Sequence, residues 1–170
     1  MKHTISVHVE DKPGALTRIT SMFARRGFNI DSLAVGPTER PGISRITLRV
    51  DCAEHTLEQI EKQIHKLVNV LRVTELVPGE SVERELMVLK VSVTPERRAE
   101  LIGAAEAFRG RVLDIGAEAL VLELVGTPEE LDAFHELCRP HGIVEQVRTG
   151  RIGLTRASSR TAGHGLAAIS

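Results

Sequence analysis

Ile5, Val7 and Val9 alternate with the polar Ser6 and His8, the two-residue period of a strand with one face buried. The alternation stops at Glu10-Asp11-Lys12-Pro13-Gly14, a run that breaks regular structure. Leu16, Ile19 and Phe23 then recur at helical spacing; Arg25 and Arg26 suit the negative end of the helix dipole, and Gly27 supplies a left-handed terminating residue. Residues 29–35 read as a second strand, closed by a loop holding Gly36-Pro37 and Pro41-Gly42. Ile46, Leu48 and Val50, alternating with Arg45, Thr47 and Arg49, read as a third, dry on one face and polar on the other. Thr56 with Gln59 three residues on predicts a capping box, and Leu57, Ile60, Ile64 and Leu67 form the stripe of a second helix before a fourth strand at residues 70–73.

After Pro78-Gly79-Glu80-Ser81 the same order begins again, although the residues do not repeat. Met87, Leu89, Val91 and Val93 mark a strand, and Thr94 followed by Pro95 predicts the start of a helix carrying Leu101, Ile102, Ala105 and Phe108. Residues 112–115 and 120–125 pair across a turn at Gly116; Thr127-Pro128-Glu129-Glu130 caps a fourth helix ending near Cys138, with Gly142 beyond it, and residues 143–147 close the unit. The predicted class is α+β: two consecutive ferredoxin-like βαββαβ modules, each an antiparallel four-stranded sheet covered on one face by two helices. The predicted division is 1–77, 78–156 and a flexible tail, 157–170, rich in Ser, Gly and Ala. Modules of about 70 residues bury little surface and leave strand edges unpaired, which points to association between copies.

Composition narrows the function. The 170 residues include no Trp, no Tyr and four Phe, which leaves little for base stacking and lowers the case for nucleic-acid recognition. The net charge of −1 conceals an uneven distribution: 11 Lys/Arg against 9 Asp/Glu over residues 1–76, 8 against 14 over 77–150, and 3 against none over 151–170. No part is basic enough to hold a phosphate backbone. No apolar run approaches the ~20 residues of a membrane span, and Met1-Lys2-His3-Thr4 lacks a signal-peptide apolar segment, so a cytoplasmic protein without membrane partners is expected. Cys52 and Cys138 stand alone, as buried small side chains rather than a disulfide pair.

Catalytic candidates are missing from the pattern. The seven histidines show no HxH, HxxxH or HExxH spacing for a metal, and no serine lies in a GxSxG context. Gly163-His164-Gly165 falls in the tail without the strand and helix of a phosphate loop. A binder rather than a catalyst is expected, with no catalytic residue, metal ligand or resident cofactor. One segment carries chemistry: Asp11 through Leu16, where the first strand turns into the first helix. There the N–H groups of Gly14, Ala15 and Leu16 are expected to point outward as an anion seat, backed by the helix dipole, with Gly14 allowing close approach and Pro13 narrowing the turn. Spacing alone leaves a plain structural turn and a ligand seat both open. Asn29 adds a side chain able to bind the ammonium or carboxylate of an amino acid.

The run Ile5–Leu16, with Phe23 and Arg25-Arg26-Gly27-Phe28-Asn29-Ile30-Asp31-Ser32-Leu33 after it, resembles an ACT domain, and specifically that of the small regulatory subunit of acetolactate synthase. Later blocks resemble the same subunit in order and spacing: residues 57–67, Glu83-Arg84-Glu85-Leu86-Met87, Phe108-Arg109-Gly110, Leu131-Asp132-Ala133-Phe134 and Gly153-Leu154-Thr155-Arg156. The resemblance spans about residues 3–156.

It implies a subunit without synthase activity of its own. Such a chain binds and activates a catalytic large subunit, and confers feedback inhibition by a branched-chain amino acid, commonly valine. Thiamine diphosphate, magnesium and FAD are expected on the catalytic subunit. The resemblance also implies a homodimer whose ACT sheets join side by side, with the effector in the cleft between partners. Residue by residue, Asp11, Gly14, Ala15 and Leu16 match the loop that holds the effector's carboxylate, and Asn29 and Ile30 match positions reaching it from the neighbouring copy. Some relatives have Asn where this chain has Asp11, whose carboxylate suits the effector's ammonium but repels its carboxylate. Leu16, Ile30 and Leu33 have the bulk to shape an apolar pocket, or to serve as core. A second function class is a free-standing ACT amino-acid sensor acting on another target, against which the carboxyl-terminal blocks argue; a third, an acylphosphatase-like hydrolase on the same fold, needs a phosphate loop with a catalytic arginine and asparagine, whereas the first loop here is acidic.

Overall fold

The computed structural model describes residues 1–159; the predicted tail beyond them, with Thr161 and His164, lies outside the described residues. Two compact units form, Met1–Glu83 together with the segment from Arg151, and Arg84–Gly150. The first contains β1 (Lys2–Glu10), α1 (Ala15–Arg25), β2 (Ile30–Pro37), β3 (Ile43–Asp51), α2 (Glu54–Ile64) and β4 (Val70–Glu75). Its sheet runs β2-β3-β1-β4 with every neighbouring pair antiparallel, so β2 and β4 are the edges.

The predicted alternation decides what is buried. Ile5, Val7 and Val9 from β1 and Ile46, Leu48 and Val50 from β3 pack against Ile19 and Phe23 of α1 and Leu57, Ile60 and Ile64 of α2. Two expectations are corrected. Leu16 does not belong to the stripe: it is 37% exposed, and Ala15 and Met22 complete the buried face with Ile19 and Phe23. The Thr56 capping box does not form, because the chain leaves β3 at Asp51 and enters the helix at Glu54, with Ala53 at the N-cap. Thr56 already lies in the first turn and has no cap to supply.

The polar face of this sheet is not wet. Thr4, Ser6 and His8 are each at least nine-tenths buried. Arg45 Nη2 donates to His8 Nε2 at 2.9 Å, and its Nη1 donates to the Gly153 carbonyl at 3.2 Å. Since arginine only donates, His8 Nε2 must accept, which leaves the proton on Nδ1. Burial, with Arg45 and Arg72 beside it, holds the His8 imidazole below its usual pKa; Arg40 adds to this and Glu39 opposes it.

The second unit contains most of β5 (Ser81–Ser92), then a 3-10 turn at Pro95–Arg97, α3 (Arg98–Ala107), β6 (Arg111–Ile115), β7 (Ala119–Gly126), α4 (Pro128–Cys138) and β8 (Ile143–Arg148). The strand order is β6-β7-β5-β8. Thr127 forms the full capping box with Glu130, as the Thr-Pro-Glu-Glu pattern predicts. Phe108 and Phe134 meet at 5.3 Å between ring centroids within a core of Leu89, Leu101, Leu122 and Leu131. The Arg148 guanidinium spans the buried Glu85 carboxylate (Nη2 to Oε2, 2.9 Å) and Asp132 (Nη1 to Oδ1, 2.6 Å).

A ninth strand was not predicted. β9 (Ile152–Thr155) pairs with β5, giving that sheet a fifth strand. The predicted boundaries assigned residues 151–156 to the second module, whereas their contacts join them to the first unit. Arg151 pairs with Glu83 at 3.1 Å, and Gly153 sits so close to Leu76 that a Cβ there would stand 2.7 Å from Leu76 Cδ1.

Candidate functional site

The β1–α1 connection is a tight turn closed by Ala15 N–H donating to the Lys12 carbonyl at 3.1 Å. Gly14, with φ 85° and ψ −5°, occupies its third position, the type II geometry that Pro followed by Gly favours. Gly14 is also the N-cap of α1, and its carbonyl accepts from Arg18 N–H at 3.0 Å. Ala15 is buried and its N–H is consumed by the turn, which corrects the expectation that it faces outward. The N–H groups of Gly14, Leu16 and Thr17 have no acceptor among the described residues. Thr17 thus takes the place in the donor set that sequence reasoning gave to Ala15. Nothing lies within 4 Å of a Cβ built on Gly14, so the approach to these donors is open.

Asn69 braces this turn, a role that its sequence position did not reveal. Its φ of 78° is left-handed, which Asn tolerates, and its carbonyl accepts from Glu10 N–H at 2.9 Å. Its side chain donates to the Glu10 carboxylate and accepts from Arg18. Asn69 and then Lys12, hydrogen-bonded to Glu10, hold that carboxyl below its usual range. Asp11 is exposed at the mouth of the turn, and its N–H donates to the Gly42 carbonyl at 2.8 Å.

Asn29 and Ile30 stand elsewhere. Asn29 is exposed just before β2, its Nδ2 3.2 Å from Asp31 Oδ1, and Ile30 and Leu33 pack partly against the core. Ile30 pairs with Val50, and Val50 with His3, whereas Gly14 follows Glu10 at the far end of β1. The seven-residue offset between His3 and Glu10 corresponds to about 23 Å at the usual strand rise. Within one chain the two groups of predicted site residues therefore lie at opposite ends of the sheet. β2 is an edge strand, and its outer backbone groups have no partner among the described residues.

No group of three or more His, Cys, Asp or Glu able to hold a metal occurs among the described residues, and no helix among them is long and apolar enough to cross a membrane. Residues 5–72 match the family model described as AHAS small subunit-like ACT domain, and residues 84–157 match the one described as small subunit of acetolactate synthase. The chain belongs to the acetolactate synthase small-subunit family. An acetolactate synthase small subunit from Mycolicibacterium smegmatis is 46% identical over 154 residues, covering 91% of this chain and 91% of that protein. The isozyme 3 small subunit of Salmonella typhimurium is 45% identical over 157 residues, covering 92% and 96%. The crystal structure of the acetolactate synthase small subunit from Thermotoga maritima matches with a TM-score of 0.85 at 39% identity, covering 92% of this chain and 98% of that one. Family membership thus extends over both units and agrees with the two-part ferredoxin-like fold.

Proposed function

We propose that this small subunit activates the thiamine-diphosphate-dependent catalytic subunit of acetolactate synthase and makes it sensitive to feedback inhibition by valine or another branched-chain amino acid. The observation that carries the reading is the match of both units, over more than nine-tenths of the chain, to proteins named as small subunits of this synthase. A free-standing ACT sensor does not account for the match over residues 84–157. Thiamine diphosphate, magnesium and FAD belong in this reading to the catalytic subunit.

The effector site is formed by two copies. The amino acid's carboxylate sits on the N–H groups of Gly14, Leu16 and Thr17 at the positive end of α1. Ala15 closes the turn that aims them, Asp11 faces the ammonium, and the Leu16 side chain borders the branched apolar group. Asn29 and Ile30 come from the partner. The edge position of β2 supports this arrangement, because antiparallel pairing of two β2 edges turns one sheet end for end relative to the other. The partner's strand start then comes to the end that carries the turn, closing the 23 Å gap seen within one chain. The same pairing removes an exposed strand edge.

Effector binding in that cleft favours one arrangement of the pair, and the catalytic subunit responds to that arrangement. The coupling is reciprocal: an effector that weakens the activated complex is itself bound more weakly by that complex, by the same factor. The test is reconstitution. Purified catalytic subunit from the same cell is assayed with and without this chain, then with valine. Activation with new valine inhibition is expected; an unchanged rate in both conditions would overturn the reading in favour of a sensor acting elsewhere.

A further inference from the structure

Between α1 and α2 lies an open groove of about 440 Å³, lined by Met22, Arg25, Arg26, Gln63, Lys66 and Leu67. Its walls are cationic. None of Arg25, Arg26 or Lys66 has a carboxylate within ion-pair distance among the described residues, in contrast to Lys62, which pairs with Glu58 at 3.6 Å. Arg25 Nε donates to the Ser21 carbonyl at 3.2 Å, which leaves its terminal nitrogens without a partner among the described residues. No Asp or Glu lines the groove, although α2 carries Glu54, Glu58 and Glu61 ahead of its lining residues. Residues 12–30 contain Lys12, Arg18, Arg25 and Arg26 and no Asp or Glu; residues 62–74 contain Lys62, Lys66 and Arg72 and again none. The C-terminal ends of α1 and α2 both favour cations, Arg25 and Arg26 at one and Lys66 just past the other, so two helix ends bring their cations to one groove. The floor is apolar, formed by the buried Met22 and half-buried Leu67, and the next residue, Val68, is 71% exposed.

We propose that this groove docks an acidic, amphipathic segment of a partner protein, its apolar side chains on Met22 and Leu67 and its carboxylates between Arg25, Arg26 and Lys66. Under the regulatory reading above, on which this rests for the partner's identity, that protein is the catalytic subunit. A small anion is the poorer fit. Small-molecule sites enclose most of their ligand, whereas this trough is bounded by two helices and open along its length. A helix or extended segment laid along it gains from both the cations and the pliable methionine floor. The geometry also gives α1 two tasks. Its first turn carries the proposed effector seat and its last turn lines the groove, so one rigid helix joins sensing to docking.

The experiment uses the full chain and a neutral triple variant, Arg25→Gln/Arg26→Gln/Lys66→Gln, beside the reversal Arg25→Glu/Arg26→Glu/Lys66→Glu. The first readout is the dissociation constant for purified catalytic subunit at two salt concentrations, with the valine-induced shift in melting temperature as the check that each variant keeps its fold and effector seat. The neutral variant is expected to bind at least about tenfold more weakly and with less salt dependence, and the reversed one more weakly still. Equal binding by wild type and the neutral variant overturns the proposal. The second readout needs no catalytic subunit: NMR shifts of Met22, Gln63 and Leu67 on titration with a synthetic amphipathic helix of alternating Leu and Glu faces. If wild type fails to bind catalytic subunit, the regulatory reading falls, and this titration alone decides the groove. Saturable shifts at those residues, lost in the variants, support it. No shifts, or shifts reproduced in full by inorganic phosphate, overturn it.

Discussion

Gly14→Asp separates the effector seat from the fold. Nothing lies within 4 Å of a Cβ at this position, so the substitution meets no steric obstacle. Its cost is conformational, because φ is +85°. Asp is among the side chains that tolerate the left-handed region, which puts the penalty near the low end of the 1–2 kcal/mol range, or about 4 °C in melting temperature. The effect on the effector is larger. Two carboxylates about 4 Å apart repel by about 1 kcal/mol in water and about 4 kcal/mol at the effective dielectric of a protein surface. The seat is exposed, so the expected loss lies between these limits, a factor of roughly 5 to 1,000 in affinity. Gly14→Asn is the matched control: it tolerates the same backbone, has nearly the same shape and brings no charge. In reconstituted synthase, the valine concentration for half-inhibition is expected to rise steeply for Gly14→Asp and several-fold less for Gly14→Asn, with activation by both retained. Unchanged inhibition of the Gly14→Asp enzyme, or equal losses in the two variants, would refute the carboxylate-seat argument.

Three further outcomes concern the framework. Gly153→Val puts a side chain against Leu76 Cδ1 and, 3.2 Å away, the Val82 carbonyl; it is expected to cost about 1–3 kcal/mol and to speed hydrogen exchange across β9, and protection equal to wild type would contradict that packing. Arg148→Met leaves the buried Glu85 carboxylate uncompensated and is expected to destabilise by about 3 kcal/mol in urea unfolding, with much of the loss recovered when Glu85→Met is added; a single variant as stable as wild type would contradict it. His8, whose pKa is lowered by burial and by Arg45 and Arg72, binds a proton more readily in the unfolded chain. Its contribution is therefore present above pH ~6.5 and is lost as the pH falls toward the depressed folded value. Melts at pH 7.5, 6.5 and 5.5 are expected to show a shallower loss for His8→Gln than for wild type; parallel slopes would contradict the assignment.

The sheets and helices were legible because single-face burial writes its period into the chain. Ile5-Val7-Val9, Ile46-Leu48-Val50 and Leu57-Ile60-Ile64 are all core positions. The failures have local causes. Thr56 looked like a cap because a capping box is a spacing, and spacing does not reveal where the preceding strand releases the chain; Thr127 has both a proline next to it and Glu130 three residues on, whereas Thr94, with its proline alone, makes no side-chain cap and leads into a 3-10 turn before α3. Ser6 and His8 alternate with the apolar positions of β1 as an unburied face would, yet they and Thr4 are buried: Arg45, itself bonded to the Gly153 carbonyl, donates to His8, and Arg49 donates to Thr4. β9 escaped because it has four residues, one of them glycine, and owes its place to a close approach to Leu76 that no local pattern encodes. At the candidate site, Pro13-Gly14 announced the turn. That Ala15 N–H closes it while Thr17 N–H stays unpaired follows only from the turn's geometry, and the separation of Asn29 from Gly14 follows only from strand register.

The claim on which the account turns is that one copy supplies the amide seat and the other the asparagine. Gly14→Asp and Asn29→Ala chains, each defective in valine binding alone, are mixed, unfolded and refolded together, and titrated with valine by calorimetry. Random pairing makes half of the dimers mixed, and each mixed dimer carries one site with both defects and one site with none, so about a quarter of the wild-type capacity is expected at wild-type affinity. If the mixture binds no more valine than the two variants do separately, the site does not span two copies and the account is wrong.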